Sequence, residues 1–371
     1  MRERSAVTVA AILAVCAPLA WAFGNTSPGV TPTPAVSRPD APELALLEGP
    51  ADGDGSLVVL RRGGRSRALG RVPHAVGGAR QGVVVRGGEH PLVAVVAQQR
   101  PSTRASTYDS ALFFVDEGGA RQALDGVTNA SRPLVTRGGL VLVQRGSDGD
   151  PIELVDRQLR ERRDPLRIDA VDPSTGASRT VWEGAGQIAF LACALDGDEA
   201  LVLHLDDQRA TLRVLDAARG VTRVLREGLH LARDFSYDAA RGEVLFAQAE
   251  GPSAWAVRAI SLRDSEISTK WQGESDHLMP FALGDGRVAL SLPGDHGLGV
   301  IPAGGGAPGR VAPLGEGSDA ALARYGDWIA LRHTDSAREA PALVHLPTGA
   351  GEALAGGDGE VRVVLGFTEA R

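Results

Sequence analysis

Short apolar runs alternate with polar turns along most of the chain, in a pattern typical of antiparallel β-strands. An apolar strand runs into a turn of Gly, Asp or Pro and returns as a second strand that ends on Leu, Val or Trp. The clearest copies are Leu212–Leu225, Ile168–Trp182 and Ala111–Leu124, and fainter ones begin at Leu57, Val257, Leu298 and Ala342. A hairpin that recurs with a period of about 45 residues predicts a repeat architecture, and among such architectures a β-propeller.

The spacing of these hairpins predicts an all-β fold, a seven-bladed β-propeller with four antiparallel strands in each blade. One blade more or fewer is compatible with the same pattern. The fourth repeat shows its strands most clearly, as Ile188–Ala194, Ala200–His204, Thr211–Leu215 and Thr222–Leu225. The first repeat has only three strands, and Val361–Phe367 is left over at the end of the chain. We expect this last strand to join blade one from the inside and close the ring, because an open arc would leave unpaired strand edges.

Several repeats carry a strand, an Asp-containing turn and a second strand in close succession. Ala194-Leu195-Asp196-Gly197 is followed by Leu201-Val202-Leu203, Phe235-Ser236-Tyr237-Asp238 is followed by Val244-Leu245-Phe246, and a related hairpin holds Asp216, Gly220 and Leu225. This arrangement resembles the repeats of TolB-like and WD-repeat-like β-propellers. The resemblance implies the fold and, because that fold hosts many activities, no particular function.

The N-terminal segment has the three parts of an export signal. Arg2 and Arg4 supply the positive start, Val7–Leu19 is apolar, and Ala20–Ala22 forms a small-residue cleavage site. We therefore predict a signal peptide over residues 1–22, a Pro/Ser/Thr-rich linker over 23–42 and the propeller over 43–371. An uncleaved membrane anchor is the alternative. The protein is accordingly expected in the periplasm or outside a bacterial cell. Cys193 is expected to be a buried thiol.

The overall charge excludes some classes of partner. The formal net charge is −7, and Lys270 is the only lysine among 39 basic residues. An acidic chain binds nucleic acid or anionic lipid poorly through its bulk charge, so we expect neither as a partner. Since a catalytic or phosphate-binding lysine has one possible position, lysine chemistry is unpromising.

Two long insertions interrupt the repeat, Gln98–Asp109 in blade two and Gly146–Pro165 in blade three. Both fall between the second and third strands of their blades, so we expect them on one face of the propeller. The second insertion fits a short helix, with Asp150 as its cap and Pro151 in the first turn. The arginines of the two insertions are Arg100, Arg104, Arg157, Arg160, Arg162 and Arg163. They form either a docking site for an acidic partner or a solvated charged face.

Histidines and aspartates should converge on the same face. Candidate ligands for a divalent metal are His204, Asp206, His296, His333 and Asp335. Their placement depends on the repeat register alone, since none belongs to a local metal-binding motif, and exposed turn residues are the alternative interpretation. No nucleophile, metalloprotease or redox motif is present in the sequence, and no cofactor is predicted.

These observations favour a non-enzymatic function. We expect an exported propeller that binds a protein or ligand, or acts as a scaffold, in the cell envelope or outside the cell. The partner would dock on the face that carries residues 98–109 and 146–165. The alternative is a propeller enzyme, a metal-assisted hydrolase or lactonase with its site at the mouth of the ring.

Overall fold

The computed structural model describes residues 41–100, 109–128, 132–145, 152–155, 158–161, 166–184, 188–206, 209–229, 232–251, 254–274, 278–292, 297–311, 314, 317–334, 339–354 and 360–369. Of residues 152–155, 158–161, 188–189, 206, 209 and 274 only the backbone is described. The predicted signal peptide and residues 23–40 of the predicted linker lie outside this set. In the described part of the chain, no helix is long and apolar enough to cross a bilayer.

The chain folds into four-stranded antiparallel sheets, which we number in chain order. Sheet 1 contains β1 (Leu44–Pro50), β2 (Gly55–Arg62), β3 (Arg65–Pro73) and the C-terminal β30 (Glu360–Phe367). Sheet 2 contains β4 (Arg80–Arg86), β5 (Leu92–Gln98), β6 (Ser110–Asp116) and β7 (Gly119–Val127). Sheet 3 contains β8 (Leu134–Val135), β9 (Val141–Arg145), β12 (Leu166–Val171) and β13 (Ser178–Gly184), with a separate hairpin of β10 (Ile152–Val155) and β11 (Gln158–Glu161) between β9 and β12.

The second half of the chain repeats the arrangement without insertions. Sheet 4 contains β14 (Ile188–Ala194), β15 (Glu199–Asp206), β16 (Arg209–Asp216) and β17 (Val221–Glu227). Sheet 5 contains β18 (Ala232–Asp238), β19 (Glu243–Ala249), β20 (Ala254–Ser261) and β21 (Ile267–Glu274). Sheet 6 contains β22 (Phe281–Ala282), β23 (Val288–Ser291), β24 (Leu298–Ile301) and β25 (Gly309–Arg310), and sheet 7 contains β26 (Ser318–Tyr325), β27 (Trp328–Thr334), β28 (Glu339–His345) and β29 (Ala350–Ala353).

Two strand pairings stand out in this topology, one within sheet 1 and one between sheets 2 and 3. The C-terminal strand β30 pairs with β1 in antiparallel register, with Leu46 opposite Val364, as the sequence predicts for the leftover strand. Sheets 2 and 3 are joined into one eight-stranded sheet through the pair Val127 and Arg145. Sheet 1 therefore begins with β30, the last strand of the chain, whereas each of the other sheets begins with its earliest strand in the sequence. The first, second, third and fourth strands of a sheet are counted in this order.

The hydrophobic core lies between consecutive sheets rather than at one centre. Each strand buries alternate side chains against the preceding sheet and the following sheet, which produces a series of apolar clusters. Leu44, Leu46 and Val364 of sheet 1 also pack with Trp328 and Leu343 of sheet 7. Short strands rich in Val, Leu and Ala suit this arrangement, because both faces of each sheet are covered.

In sheets 2, 3 and 4, the turn from the third to the fourth strand is shaped by an aspartate at the end of the third strand. In three successive sheets, the Oδ1 atom of this aspartate accepts a hydrogen bond from the backbone N–H two residues later. The pairs are Asp116 with Gly118 at 2.8 Å, Asp172 with Ser174 at 2.8 Å and Asp216 with Ala218 at 3.0 Å. This is the Asx turn that the repeated Asp and Gly positions favour.

Candidate functional site

The two insertions occupy equivalent connections in neighbouring sheets. Gln98–Asp109 runs from β5 to β6, and Gly146–Pro165 runs from β9 to β12, so each joins a second strand to a third. In an antiparallel sheet, every second connection between strands lies at the same end of the strands. We call the end of the sheets that carries these second-to-third connections the insertion face. The connections that lead from one sheet to the next lie at the same end. The pair Val127 and Arg145 joins sheets 2 and 3 at this end of the strands.

The helix predicted within the second insertion is wrong. The structure instead has the β10–β11 hairpin, in which Glu153 lies opposite Arg160 and Leu154 opposite Leu159. The spacing of Ile152, Val155 and Leu159 fits a helical stripe, but Ile152-Glu153-Leu154 also alternates with a period of two. Branched Ile and Val favour a strand, and opposite charges and paired leucines at facing positions stabilise a hairpin.

The base of the second insertion is fixed by an ion pair between a partly exposed arginine and a buried aspartate. Nη1 of Arg145, the last residue of β9, lies 3.3 Å from Oδ2 of Asp169 on β12. Thr180 donates a hydrogen bond of 2.8 Å to the other oxygen of Asp169, whose side chain is almost completely buried. The two strands from which the insertion extends are therefore held firmly together.

The structure describes only some of the predicted docking arginines. Arg100 is a described residue, with 72% of its side chain exposed, and it forms an ion pair of 3.3 Å with Asp109 at the other end of the same insertion. Arg160 is described only as a position in β11 opposite Glu153. Arg104, Arg157, Arg162 and Arg163 lie outside the described residues, so their docking role stays a prediction.

The predicted metal ligands are distributed over separate sheets. His204 lies on β15 of sheet 4, where it is 6% exposed and packs edge-on against Trp182 with ring centroids 5.2 Å apart. Asp206 ends β15 opposite Arg209, and only its backbone is described. His296 and Asp335 lie outside the described residues. Among the described residues, no group of three or more His, Cys, Asp or Glu side chains is arranged to hold a metal ion.

The fifth metal candidate, His333, is bound by a residue that the sequence pattern did not single out. His333 on β27 faces Asp319 on β26, and Nδ1 of the histidine lies 2.7 Å from Oδ1 of the aspartate. Asp319 is 2% exposed, and this burial raises the pKa of its carboxyl although the bond to His333 opposes the shift. Such a carboxylate orients the imidazole and can hold a proton for it. The only sequence signal for the pair is a lone acid at the start of an apolar strand.

A cation and an aromatic ring meet at the insertion-face end of sheet 5. The guanidinium of Arg233 lies over the ring of Trp255, 4.1 Å from its centroid, and its Nε is 3.2 Å from Oδ2 of Asp234. Asp234 has a positive φ of 56°, in a stretch where the pairing of β18 with β19 is irregular. A non-glycine residue in this conformation is uncommon and marks local strain.

Sheet 1 contributes a buried serine–histidine contact near the same face. Oγ of Ser56 lies 2.8 Å from Nε2 of His74, and Nδ1 of His74 lies 2.8 Å from the carbonyl oxygen of Ala75. Because a carbonyl only accepts, Nδ1 carries the hydrogen, and burial lowers the pKa of His74 so that the ring is neutral. Both side chains are almost fully buried, which makes this a structural link rather than an exposed nucleophile.

On the opposite face, arginines of sheets 1, 2 and 3 bind the sheet that follows each of them. Near the start of an outer strand, Arg67, Arg121 and Arg179 each reach the third-to-fourth-strand hairpin of the following sheet. Arg67 binds the carboxylate of Glu117 at 3.1 Å, Arg121 binds the carbonyl of Pro173, and Arg179 binds the carbonyls of Ala217 and Ala218 at 2.6 and 2.9 Å. These arginines are structural, so the chain's preference for arginine serves its architecture on this face.

Comparison with known proteins identifies the fold. Neither a protein-family model nor a curated protein matches the chain. Among solved structures, a candidate 6-phosphogluconolactonase from Bacteroides uniformis matches with a TM-score of 0.54 and 14% identity, over 89% of this chain and 99% of that one. A puromycin-hydrolyzing peptidase from Mycobacterium tuberculosis matches with a TM-score of 0.54 and 17% identity, over 87% of this chain and 54% of that one. TolB from Acinetobacter baumannii gives a TM-score of 0.48 and 13% identity, over 86% and 81% of the two chains.

In fold, the chain resembles the β-propellers of the matched lactonase and peptidase structures. A β-propeller is also the fold that the Asp-containing repeats indicate in the sequence. At identities this low, the similarity establishes the fold alone. The matched region spans about half of the peptidase's own length, so that enzyme's activity does not transfer to this chain.

Proposed function

We propose that sheets 1 to 7 are the seven blades of one ring and that β30 closes it within the first blade. The contacts between first strands support this arrangement, since β30 contacts β4, β4 contacts β8, β8 contacts β14, β14 contacts β18 and β18 contacts β22. Strand β26 of sheet 7 contacts both sheet 6 and β30. The apolar cluster shared by sheets 7 and 1 supports the same order.

We further propose that this ring is an exported binding or scaffold module of the cell envelope or exterior, which docks a protein through the insertion face. The observation that carries the proposal is the asymmetry between the two faces. The opposite face has short turns, and its arginines bind the neighbouring sheet. At the insertion face, the two long insertions leave from the neighbouring sheets 2 and 3, and the Arg145–Asp169 pair joins the two strands from which the second one extends.

The arginines of the insertions suggest the kind of partner. Arg100, Arg104, Arg157, Arg160 and Arg163 are guanidinium groups of this region, which also carries seven acidic residues. Guanidinium groups bind carboxylates in a planar, two-pronged geometry, so an acidic protein surface is the complementary partner. The predicted export signal places that partner in the periplasm or outside the cell. Nothing in the described residues favours the hydrolase or lactonase alternative over docking.

Charge reversal on the second insertion tests the docking proposal. The double variant Arg157→Glu and Arg160→Glu should lose capture of an acidic envelope protein in a pull-down by at least about tenfold, because two attractive contacts become repulsive. Capture by the unchanged protein should weaken as salt is raised, because exposed charges are screened.

The matched control is Arg219→Glu with Arg263→Glu, which makes the same change of charge in two exposed turns of the opposite face. This control should capture the partner as the unchanged protein does. Equal capture by all three proteins, with unchanged circular dichroism, would remove the insertion face as the docking surface.

A further inference from the structure

Two arginines near the insertion face are partly buried without a carboxylate partner in the described residues. Other arginines in comparable positions form ion pairs, as Arg145 does with Asp169 and Arg362 with Glu48 at 2.9 Å. Arg80 begins β4, and Arg132 precedes β8, so the two lie at the entry ends of neighbouring first strands.

Arg132 bridges two first strands through their backbones. Its Nε donates a hydrogen bond of 2.7 Å to the carbonyl of Gly82 on β4, and its Nη2 donates one of 2.8 Å to the carbonyl of Leu365 on β30. Burial lowers the pKa of Arg132 to about 10, which still leaves it charged at neutral pH. Carbonyl oxygens satisfy its hydrogen bonds but do not neutralise its charge.

Arg80 lies on the same strand, two residues before Gly82. Its Nε and Nη2 atoms are buried and have no hydrogen-bond partner within the described structure, while the side chain as a whole is only half-buried. Among the residues that the structure describes, the neighbouring groups do not supply an unpaired negative charge. His74 is neutral, and the nearby Asp54 forms an ion pair with Arg71 at 3.2 Å.

We propose that Arg80 and Arg132 form a binding site for a small anion at the junction of sheets 1, 2 and 3. Two poorly solvated cations with no counter-charge in the described part of the chain are unfavourable, and an anion that contacts both would remove that cost. The planar guanidinium group suits the paired oxygens of a phosphate or a carboxylate. The half-exposed side chain of Arg80 leaves a route from solvent. This site uses different residues from the proposed docking surface and does not depend on it.

Thermal unfolding in different salts tests the site. Inorganic phosphate should raise the unfolding midpoint of the protein by about 2 °C or more above its value in sodium chloride of equal ionic strength, because a ligand that binds only the folded state stabilises it. Isothermal titration with inorganic phosphate should show at least about a tenfold loss of affinity in Arg80→Gln. Arg219→Gln, a change at a side chain that is 81% exposed on the opposite face, should keep both effects.

Two further measurements identify the class of ligand and allow for a variant that does not fold. Protection by sodium acetate without protection by phosphate would assign a carboxylate ligand. If Arg80→Gln does not fold, Arg80→Lys retains the charge without the two-pronged geometry and should bind phosphate more weakly. The site is contradicted if neither anion stabilises the protein beyond sodium chloride, or if the Arg80 variants respond as fully as the unchanged protein.

Discussion

At the scale of single residues, arginine connects parts of the chain that are distant in sequence. Arg179 reaches two carbonyls of the next sheet, and Arg132 reaches carbonyls on two different strands. The branched, planar guanidinium makes several directed bonds at once, which the single ammonium of lysine does less well. This explains why the structure uses arginine at these contacts and places its one lysine, Lys270, in a simple ion pair with Glu243 at 2.8 Å.

The buried His74 predicts how stability depends on pH. Burial lowers the pKa of His74 in the folded protein below its ordinary value of 6.5. The unfolded chain therefore takes up a proton more readily as the pH falls, so stability is full above pH 6.5 and decreases below it. Denaturant unfolding between pH 7.5 and pH 5.5 should show a larger loss of stability for the unchanged protein than for His74→Gln. An equal loss in both proteins would contradict a neutral, buried His74.

At the scale of elements, the sequence predicts hairpins well where the turn chemistry is local. Asp172 shows why, since its carboxylate closes the turn within two residues and the Ser174 hydrogen bonds lower its pKa. The predicted helix in the second insertion fails because Ile152-Glu153-Leu154 has a period of two, although the apolar positions of the segment also fit a helical period. The Asp319–His333 pair was equally hidden, because its two partners meet only when β26 and β27 align in register.

Removal of one fastening arginine tests how the sheets are held together. Arg179→Met should lower the free energy of unfolding by about 1–2 kcal/mol, since two hydrogen bonds between sheets 3 and 4 are lost while the aliphatic stem is kept. Urea unfolding measures the change. Arg219→Met, at an exposed turn, should change stability by less than about 0.5 kcal/mol. A similar small effect at both positions would show that the fastening bonds contribute little.

At the scale of the whole molecule, packing between consecutive sheets determines the fold. The repeat period and the leftover C-terminal strand predict four-stranded sheets and the β1–β30 pairing. The sequence could not reveal which charged residues lack a counter-charge within the described ranges, because the environment of Arg80 and Arg132 depends on three sheets meeting. The proposed ring closure and the proposed docking face both depend on sheets 7 and 1 remaining in contact through Trp328 and Val364.

Deletion of residues 360–371 tests this account most directly, because it removes β30 and leaves the edge of β1 unpaired. We predict that the shortened protein aggregates, or loses its single cooperative thermal transition, because an exposed apolar strand edge promotes association. A control that ends at Glu369 keeps β30 and the bond of 3.0 Å from the Thr368 N–H to the Glu43 carbonyl, and it should unfold as the full chain does. A soluble, monomeric protein without residues 360–371 that unfolds cooperatively at the full chain's midpoint would contradict the closed ring.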